Sequence, residues 1–152
     1  MSDCFKQTLE AFGQRLGIAG LRLDDQGHCA LRFDAVQVHL QLLDEAEHVM
    51  CYCPLGRLDA DAQPAMGWEL LHAGYLFQQT GGASLSRDQE TGQCLLSCLL
   101  EGAHVTVNAF EARMTVLVNT AELWMHRLQS PAPSAPGDMP GALPQRFMQQ
   151  LA

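Results

Sequence analysis

Six cysteines and six histidines are the residues of this chain with the most obvious capacity for chemistry. Cys51 and Cys53 share one face of a predicted strand, and Cys94 and Cys98 share one face of another. Structural zinc sites usually take cysteine pairs with two residues between them, and strand geometry separates the thiols of the second pair by roughly 13 Å. The spacing therefore predicts no metal site, and the simplest interpretation is that these cysteines are small hydrophobic core residues.

The other reactive residue types do not match a catalytic motif. Gly81 and Gly82 follow a predicted helix instead of opening one, and no lysine of a phosphate-binding loop accompanies them. Ser84 and Ser86 have no G-x-S-x-G elbow around them, and His39, on the polar side of a strand, is expected to face solvent. The sequence therefore predicts neither an enzyme nor a cofactor. A small thiol-dependent enzyme is the less favoured alternative, which thiol titration at neutral pH would test.

Composition indicates one domain with apolar surface that something must cover. The chain has 152 residues, 47% of them hydrophobic and 17% charged, whereas about a quarter of the residues in a typical soluble domain are charged. The missing polarity predicts contact with a second copy or with another partner. The net charge is −8 and Lys6 is the single lysine, which disfavours binding to nucleic acid or to an anionic membrane.

The expected location of the protein follows from its apolar segments. No apolar run approaches the about 20 residues that span a bilayer. Residues 1–17 form an amphipathic pattern instead of the basic start and apolar centre of a signal peptide. We therefore expect a cytoplasmic protein, without membrane insertion, whose cysteines are reduced.

Hydrophobic periodicity predicts a helix followed by three strands. The helix covers residues 3–16, with Ser2 as its cap, and its apolar residues recur at intervals of three and four. Strands are predicted at 28–33, 36–42 and 48–53, the last one ended by Pro54. Because their connections are short, the three strands must be antiparallel neighbours.

The second half of the chain predicts a helix, a hairpin and a last helix. The second helix begins near Pro64 and continues through residues 75–79 to the double glycine. Strands at 83–87 and 93–100 form the hairpin, and the last helix runs to residue 129 from a capping-box-like start at Asn108. Residues 130–152 hold five of the seven prolines and are predicted to be a flexible C-terminal tail. The fold is therefore α+β, in the order α-β-β-β-α-β-β-α, with helices packed on a twisted antiparallel sheet formed by residues 1–129.

Several segments in this order resemble one protein family. They are Leu16-Gly17 at the end of the first helix, Leu31-Arg32-Phe33-Asp34, Pro54-Leu55-Gly56 and residues 75–83, YLFQQTGGA. Together they resemble the CesT (Tir-chaperone) family, the small acidic class I chaperones of bacterial type III secretion. The resemblance covers residues 3–129; the tail and the high cysteine content depart from the family pattern.

The resemblance implies a cytoplasmic bacterial homodimer that performs no catalysis. Such a chaperone binds the N-terminal chaperone-binding region of a type III secreted effector, keeps the effector soluble and secretion-competent, and delivers it to the secretion ATPase. A regulatory member of the same family, which exchanges partners to couple secretion to transcription, stays open as an alternative. The segment from Phe110-Glu111-Ala112 to Ala121-Glu122-Leu123-Trp124 is similar to such members.

The resemblance also assigns two sets of residues. The effector-binding candidates, from the first helix and the sheet, are Phe5, Leu9, Phe12, Leu16, Leu31, Phe33, Val38 and Leu40. The dimer-interface candidates, from the second helix and a nearby strand, are Trp68, Leu71, Tyr75, Leu96 and Cys98. For the first set, ordinary core packing is an equally open interpretation of the same apolar pattern.

Overall fold

The computed structural model describes residues 3–59 and 61–130, and the predicted tail from residue 131 onward lies outside them. Eight main elements follow one another in the predicted order. They are α1 (Cys4–Arg15), β1 (His28–Phe33), β2 (Val36–Leu42), β3 (His48–Arg57), α2 (Pro64–Gly74), β4 (Ser84–Arg87), β5 (Gln93–Glu101) and α3 (Val107–Gln129). Short 3-10 turns at Tyr75–Phe77 and Gly102–His104 follow α2 and β5. The predicted α+β class is confirmed.

The five strands form a single antiparallel sheet in the order β1-β2-β3-β5-β4. The first three strands are neighbours, as their short connections require. The two-residue turn between β1 and β2 is closed by Asp34 with a φ of 53°, a conformation that aspartate tolerates better than most residues. Strand β5 then inserts beside β3, which leaves β1 and β4 as the edges.

Alternate residues of every long strand point into one core, which α1 and α3 cover. The buried strand residues are Cys29, Leu31, Val36, Val38, Leu40, Val49, Cys51, Cys53, Leu55, Cys94, Leu96 and Cys98. Phe110 of α3 joins the two helices, with its ring edge-on to Phe5 at 5.5 Å and to Phe12 at 5.0 Å. Such aromatic pairs add roughly 0.5–1.5 kcal/mol beyond the burial of their area.

The predicted end of β3 at Pro54 is wrong, because the strand continues to Arg57. Pro54 is paired with Leu95 and Gly56 with Cys94, so Leu55 is the extra residue of a bulge. A proline, which has no N–H to donate, is tolerated at a bulge because the ladder is already interrupted there.

The α-helical conformation of α2 ends at Gly74, not at the predicted double glycine. Leu76 and Phe77 have φ values of 51° and 56°, which no α-helix accommodates. The chain turns here because the following residues contact α3: Trp124 Nε1 donates to the carbonyl of Gln79 at 3.0 Å. Tertiary contact therefore overrides the apolar periodicity that continues through residue 77.

The N-cap of helix α3 lies two residues before the predicted cap. Thr106, not Asn108, is the N-cap, and its Oγ1 accepts a hydrogen bond from the Ala109 N–H at 3.2 Å. Threonine and asparagine both cap helices by this bond, so the local sequence offers two starts. For α1, Asp3 occupies the N-cap position, while the predicted cap Ser2 lies outside the described residues.

Candidate functional site

A groove of about 200 Å³ lies between α1 and α3 beside the end of β1. Its apolar lining includes Leu16, Phe33 and Val118, and its polar lining includes Glu111. An ion pair between Arg15 and Glu111, with 2.6 Å between Nη1 and Oε2, crosses from one helix to the other. We call this feature the α1–α3 groove; an apolar floor with polar groups at its border suits a partially apolar ligand.

The edge strand β1 runs beside this groove. Among the described residues, β1 pairs with β2 alone, so its other edge offers backbone N–H and C=O groups beyond His28, whose own N–H and C=O bond to Asp24. Phe33 is both the last residue of β1 and part of the groove lining. A strand added to this edge would therefore place side chains next to the groove.

The predicted effector-binding residues divide between core and surface. Six of them are buried inside the protomer: Phe5, Leu9, Phe12, Leu31, Val38 and Leu40. Leu16 is 40% exposed and Phe33 is partly exposed, and both line the α1–α3 groove. For the six buried residues, the structure shows the core packing that the sequence pattern also allowed.

A second apolar surface is formed by α2 and the turn that follows it. Trp68, Leu71 and Tyr75 each expose about two thirds of their side chains, at 66%, 69% and 65%. These three residues define what we call the α2 face. They were three of the five predicted dimer-interface residues, and here they lie together on one side of a single helix with its following turn.

The other two dimer-interface candidates, Leu96 and Cys98, point into the core. Strand β5 is apolar on both sides, so its periodicity alone does not show which side faces outward. Leu99, which alternation places on the opposite face, is 54% exposed. Val116 and Leu123 of α3 are also exposed apolar residues that the sequence analysis did not select; their spacing of seven, which places them on one side of α3, was the available signal.

Polar contacts hold α2 and the following loop against α3. Glu69 forms a two-point ion pair with Arg127, with oxygen–nitrogen distances of 2.6 and 2.5 Å, and both side chains are largely buried. Arg113 donates to the carbonyls of Gly81 and Gly82 at 3.3 and 3.2 Å. The α2 face is therefore carried by a rigidly attached helix, because two-point guanidinium contacts fix orientation as well as distance.

Three of the cysteines that the sequence predicted as small hydrophobic core residues lie close together beneath α3. Cys51 and Cys98 are direct partners across β3 and β5, with Cys53 two residues further along β3. A hydrogen bond from the Cys51 thiol, assisted by the Arg113 guanidinium, lowers the pKa of Cys98 to about 6 although burial opposes this, and the same bond raises the pKa of Cys51. Burial raises the pKa of Cys53 to about 12. The cluster thus combines one thiol whose pKa is lowered with two thiols whose pKa values are raised.

His39 is partly buried on the outer face of the sheet, although the sequence predicted a solvent-facing side chain. Its Nδ1 is 3.0 Å from His28 Nε2, and its ring stacks on Tyr52 with centroids 4.8 Å apart. Within the described part of the chain, no group of three or more His, Cys, Asp or Glu side chains is arranged to hold a metal ion. Nor does any described helix have the length and apolar character needed to cross a membrane.

Comparison with known proteins places this chain in one family. The sequence profile of the Tir chaperone protein (CesT) family matches residues 7–125. The chain is 33% identical over 134 residues to the transcriptional anti-antiactivator ExsC of Pseudomonas aeruginosa, covering 80% of this chain and 83% of that protein. It is 26% identical over 123 residues to the Tir chaperone of Citrobacter freundii, covering 80% and 78%.

A solved structure supports the same relationship. The crystal structure of the ExsC–ExsE complex matches with a TM-score of 0.69 at 27% identity, over 88% of this chain and 98% of that chain. The resemblance that the sequence segments indicated is confirmed by these matches. Because the family profile spans most of the chain and a 33% identical relative covers most of it as well, the protein belongs to the Tir chaperone protein (CesT) family.

Proposed function

We propose that this protein is a type III secretion chaperone that binds a segment of a secreted effector without catalysis. It keeps the effector soluble and secretion-competent in the bacterial cytoplasm and delivers it to the secretion apparatus, including its ATPase. Membership of the Tir chaperone family is the observation that carries this proposal. The apolar character of the α1–α3 groove supports binding of a partner segment there.

The α1–α3 groove and the free edge of β1 together form the proposed effector-binding site. An extended effector segment pairs its backbone with β1 and directs alternate side chains toward the groove. Leu16 and Phe33 are the predicted residues that make direct apolar contact, because they line the groove and are accessible. Of the six buried candidates, Phe12 also lines the groove, and the other five fix the positions of α1 and the sheet.

The proposed assembly is a homodimer joined through the α2 face. Trp68, Leu71 and Tyr75 are more exposed than large apolar residues usually are on a monomer surface. In a dimer these side chains lie near the two-fold axis, where each α2 face meets its copy. The α1–α3 groove is lined by other elements, so dimerisation through α2 leaves it accessible.

A regulatory role is the second candidate function. The 33% identity to a transcriptional anti-antiactivator favours it, because the name of that protein assigns it a role in transcription. The same groove then binds a secreted partner and a transcriptional regulator in turn. Deleting the gene distinguishes the two roles: loss of one effector from the secreted fraction indicates escort, whereas a changed signal from a type III promoter reporter indicates regulation.

The binding site is tested by a charge placed in the groove. Leu16→Asp is expected to weaken binding of the N-terminal segment of an effector encoded beside the gene by at least about tenfold, because the groove must desolvate the new carboxylate. Leu43→Asp, at a leucine that is 52% exposed on the loop after β2, is the matched control and should bind normally. Calorimetry gives the affinities, and circular dichroism verifies folding of both variants.

Unchanged binding by Leu16→Asp, or equal weakening by Leu43→Asp, would show that the effector binds elsewhere. Phe12→Asp does not test effector binding in the groove, although Phe12 is one of the predicted effector-binding residues. The Phe12 ring is buried and packs edge-on to Phe110, so this substitution is expected to unfold the domain.

A further inference from the structure

The cysteine cluster beneath α3 has no part in the proposed function, and its geometry is that of a redox pair. Cys51 and Cys98 are directly opposite on neighbouring antiparallel strands, and both side chains point into the core. Opposite residues in such strands have Cα atoms about 4.5–5.5 Å apart, which lies within the range of about 4.4–6.8 Å that a disulfide spans. Each thiol also shifts the pKa of the other, that of Cys98 downward and that of Cys51 upward.

We propose that Cys51 and Cys98 form a thiol–disulfide site whose oxidant is a hydroperoxide. The Cys98 thiolate attacks one oxygen of the peroxide, the O–O bond breaks, and the leaving oxygen takes up a proton to become an alcohol, or water from hydrogen peroxide. The Cys51 sulfur then attacks the resulting sulfenic acid of Cys98. Its hydroxyl leaves with the Cys51 proton as water, and the S–S bond forms. The two sulfurs have lost two electrons in total, and the peroxide has gained them.

Cys98 is the residue that reacts first. It retains 8% exposure, whereas Cys51 and Cys53 are fully enclosed, so a small oxidant reaches Cys98 before the others. The thiolate is the reactive form of cysteine, and the Cys51 hydrogen bond together with the Arg113 guanidinium favours that form at Cys98. Cys51 supplies the resolving thiol at the position directly across the ladder.

Cys53 is close to the pair but is excluded from it. Its partner across the ladder is Leu96, and Cys98 lies diagonally from it. Its thiol stays protonated, because burial raises its pKa to about 12. The chain thus contains a buried cysteine on the same strand face that serves as a matched control for Cys51.

Oxidation also changes the environment of Arg113. The guanidinium faces Cys98 and donates to the carbonyls of Gly81 and Gly82, in the loop that joins α2 to β4. The disulfide cannot ionise, so Arg113 loses the thiol whose ionised form it favours and keeps its bonds to the two loop carbonyls. This consequence concerns the stability of the loop and does not depend on the proposed chaperone function.

The test uses the full-length, fully reduced protein, hydrogen peroxide as oxidant and a Cys4→Ser background that removes the exposed thiol. Loss of about 2 Da in intact mass, reversed by dithiothreitol, is expected in this background. Tandem mass spectrometry of an unreduced digest should assign the bond to Cys51 and Cys98. Adding Cys53→Ser should leave bond formation unchanged, whereas adding Cys98→Ser should abolish it.

A second measurement keeps the proposal testable if a serine at position 98 prevents folding. In a Cys51→Ser variant the Cys98 sulfenic acid has no resolving thiol, so dimedone should trap it at Cys98 and not at Cys53. A bond that involves Cys53, dimedone labelling at Cys53, or no loss of mass over peroxide concentrations that oxidise a free thiol would each overturn the proposal. None of these outcomes bears on effector binding.

Discussion

His39 lies between two aromatic neighbours on the outer face of the sheet. Its Nδ1 is 3.0 Å from His28 Nε2, and its ring is nearly parallel to that of Tyr52. The carboxylate of Asp24 accepts the backbone N–H of His28 at 2.9 Å and lies 3.9 Å from the His28 Nδ1. Only one proton can lie between the two imidazole nitrogens, so protonation of both rings breaks their hydrogen bond.

This arrangement predicts a loss of stability in mild acid. Burial, followed by the charge of His28, lowers the pKa of His39 below its ordinary value of 6.5. The unfolded chain therefore binds more protons than the folded chain just below pH 6.5, and the free energy of unfolding falls as the pH drops through this window. Urea denaturation of the wild type at pH 7.5 and 5.5 should show this fall, and His39→Gln should reduce it.

The matched control is His72→Gln, which replaces an exposed histidine of α2. It should retain the full difference in unfolding free energy between the two pH values. The contact between Asp44 and His48 does not contribute to this difference. The hydrogen bond from His48 holds the pKa of Asp44 below 3.8, so the stability that the Asp44 carboxylate contributes is lost only at pH values below those compared here. If His39→Gln keeps the wild-type difference between pH 7.5 and 5.5, another group causes it.

The elements were predictable where local pattern and tertiary packing agree. The apolar stripe of α3, from Phe110 to Trp124, is buried as its spacing predicts. The two exceptions each have a tertiary cause. Strand β3 continues through Pro54 because the missing proline N–H falls at a bulge, where the ladder is already interrupted. Helix α2 ends at Gly74 because the next residues turn toward α3. These causes lie in contacts between distant segments, which a local pattern does not contain.

The candidate site, too, could be predicted from the sequence only in part. The sequence indicated that α1 and the sheet carry apolar residues, but periodicity identifies a stripe and not its exposed end. Leu16 is accessible because it lies beyond the last turn of α1, while Phe12, one turn earlier, is covered by Phe110. Likewise β5 is apolar on both sides, so the inward position of Cys98 depended on which side α3 covers.

The loop after α2 predicts an unusually sensitive glycine. Gly81 has a φ of 61°, and a Cβ added there would lie 2.6 Å from Val116 Cγ1 and 3.0 Å from Thr120 Oγ1. Gly81→Ala therefore combines left-handed backbone strain of about 1–2 kcal/mol with overlap against α3, and should lower the free energy of unfolding by more than about 2 kcal/mol. Urea denaturation measures the change.

Gly20→Ala separates the two contributions. Gly20 also has a positive φ, of 73°, but nothing lies within 4 Å of the added Cβ. This variant should lose only the backbone contribution of about 1–2 kcal/mol. Equal losses in the two variants would show that Val116 moves aside without cost and that the loop is not tightly packed on α3.

At the scale of the whole molecule, two apolar surfaces lie on different elements. The α1–α3 groove is bordered by an ion pair and an edge strand, whereas the α2 face consists of three large side chains on a helix attached to α3 through Glu69. A groove with polar borders suits a segment that exchanges, and a wide apolar face suits lasting burial. The low charged fraction of the sequence indicated such surfaces but not their positions.

The α2 face predicts a dimer that a single charge disrupts. Leu71 is 69% exposed at the centre of this face, and in a two-fold dimer each substitution is present twice. Leu71→Glu should therefore convert a dimeric wild type to a monomer, because two carboxylates would be buried close together without cations to pair them. Sedimentation velocity over a concentration series measures the change, and Leu43→Glu, at an exposed leucine on the loop after β2, should remain dimeric. An unchanged helical signal in circular dichroism would show that the loss of dimer does not reflect unfolding. A monomeric wild type, or a Leu71→Glu variant that stays dimeric, would show that the α2 face is not the dimer interface.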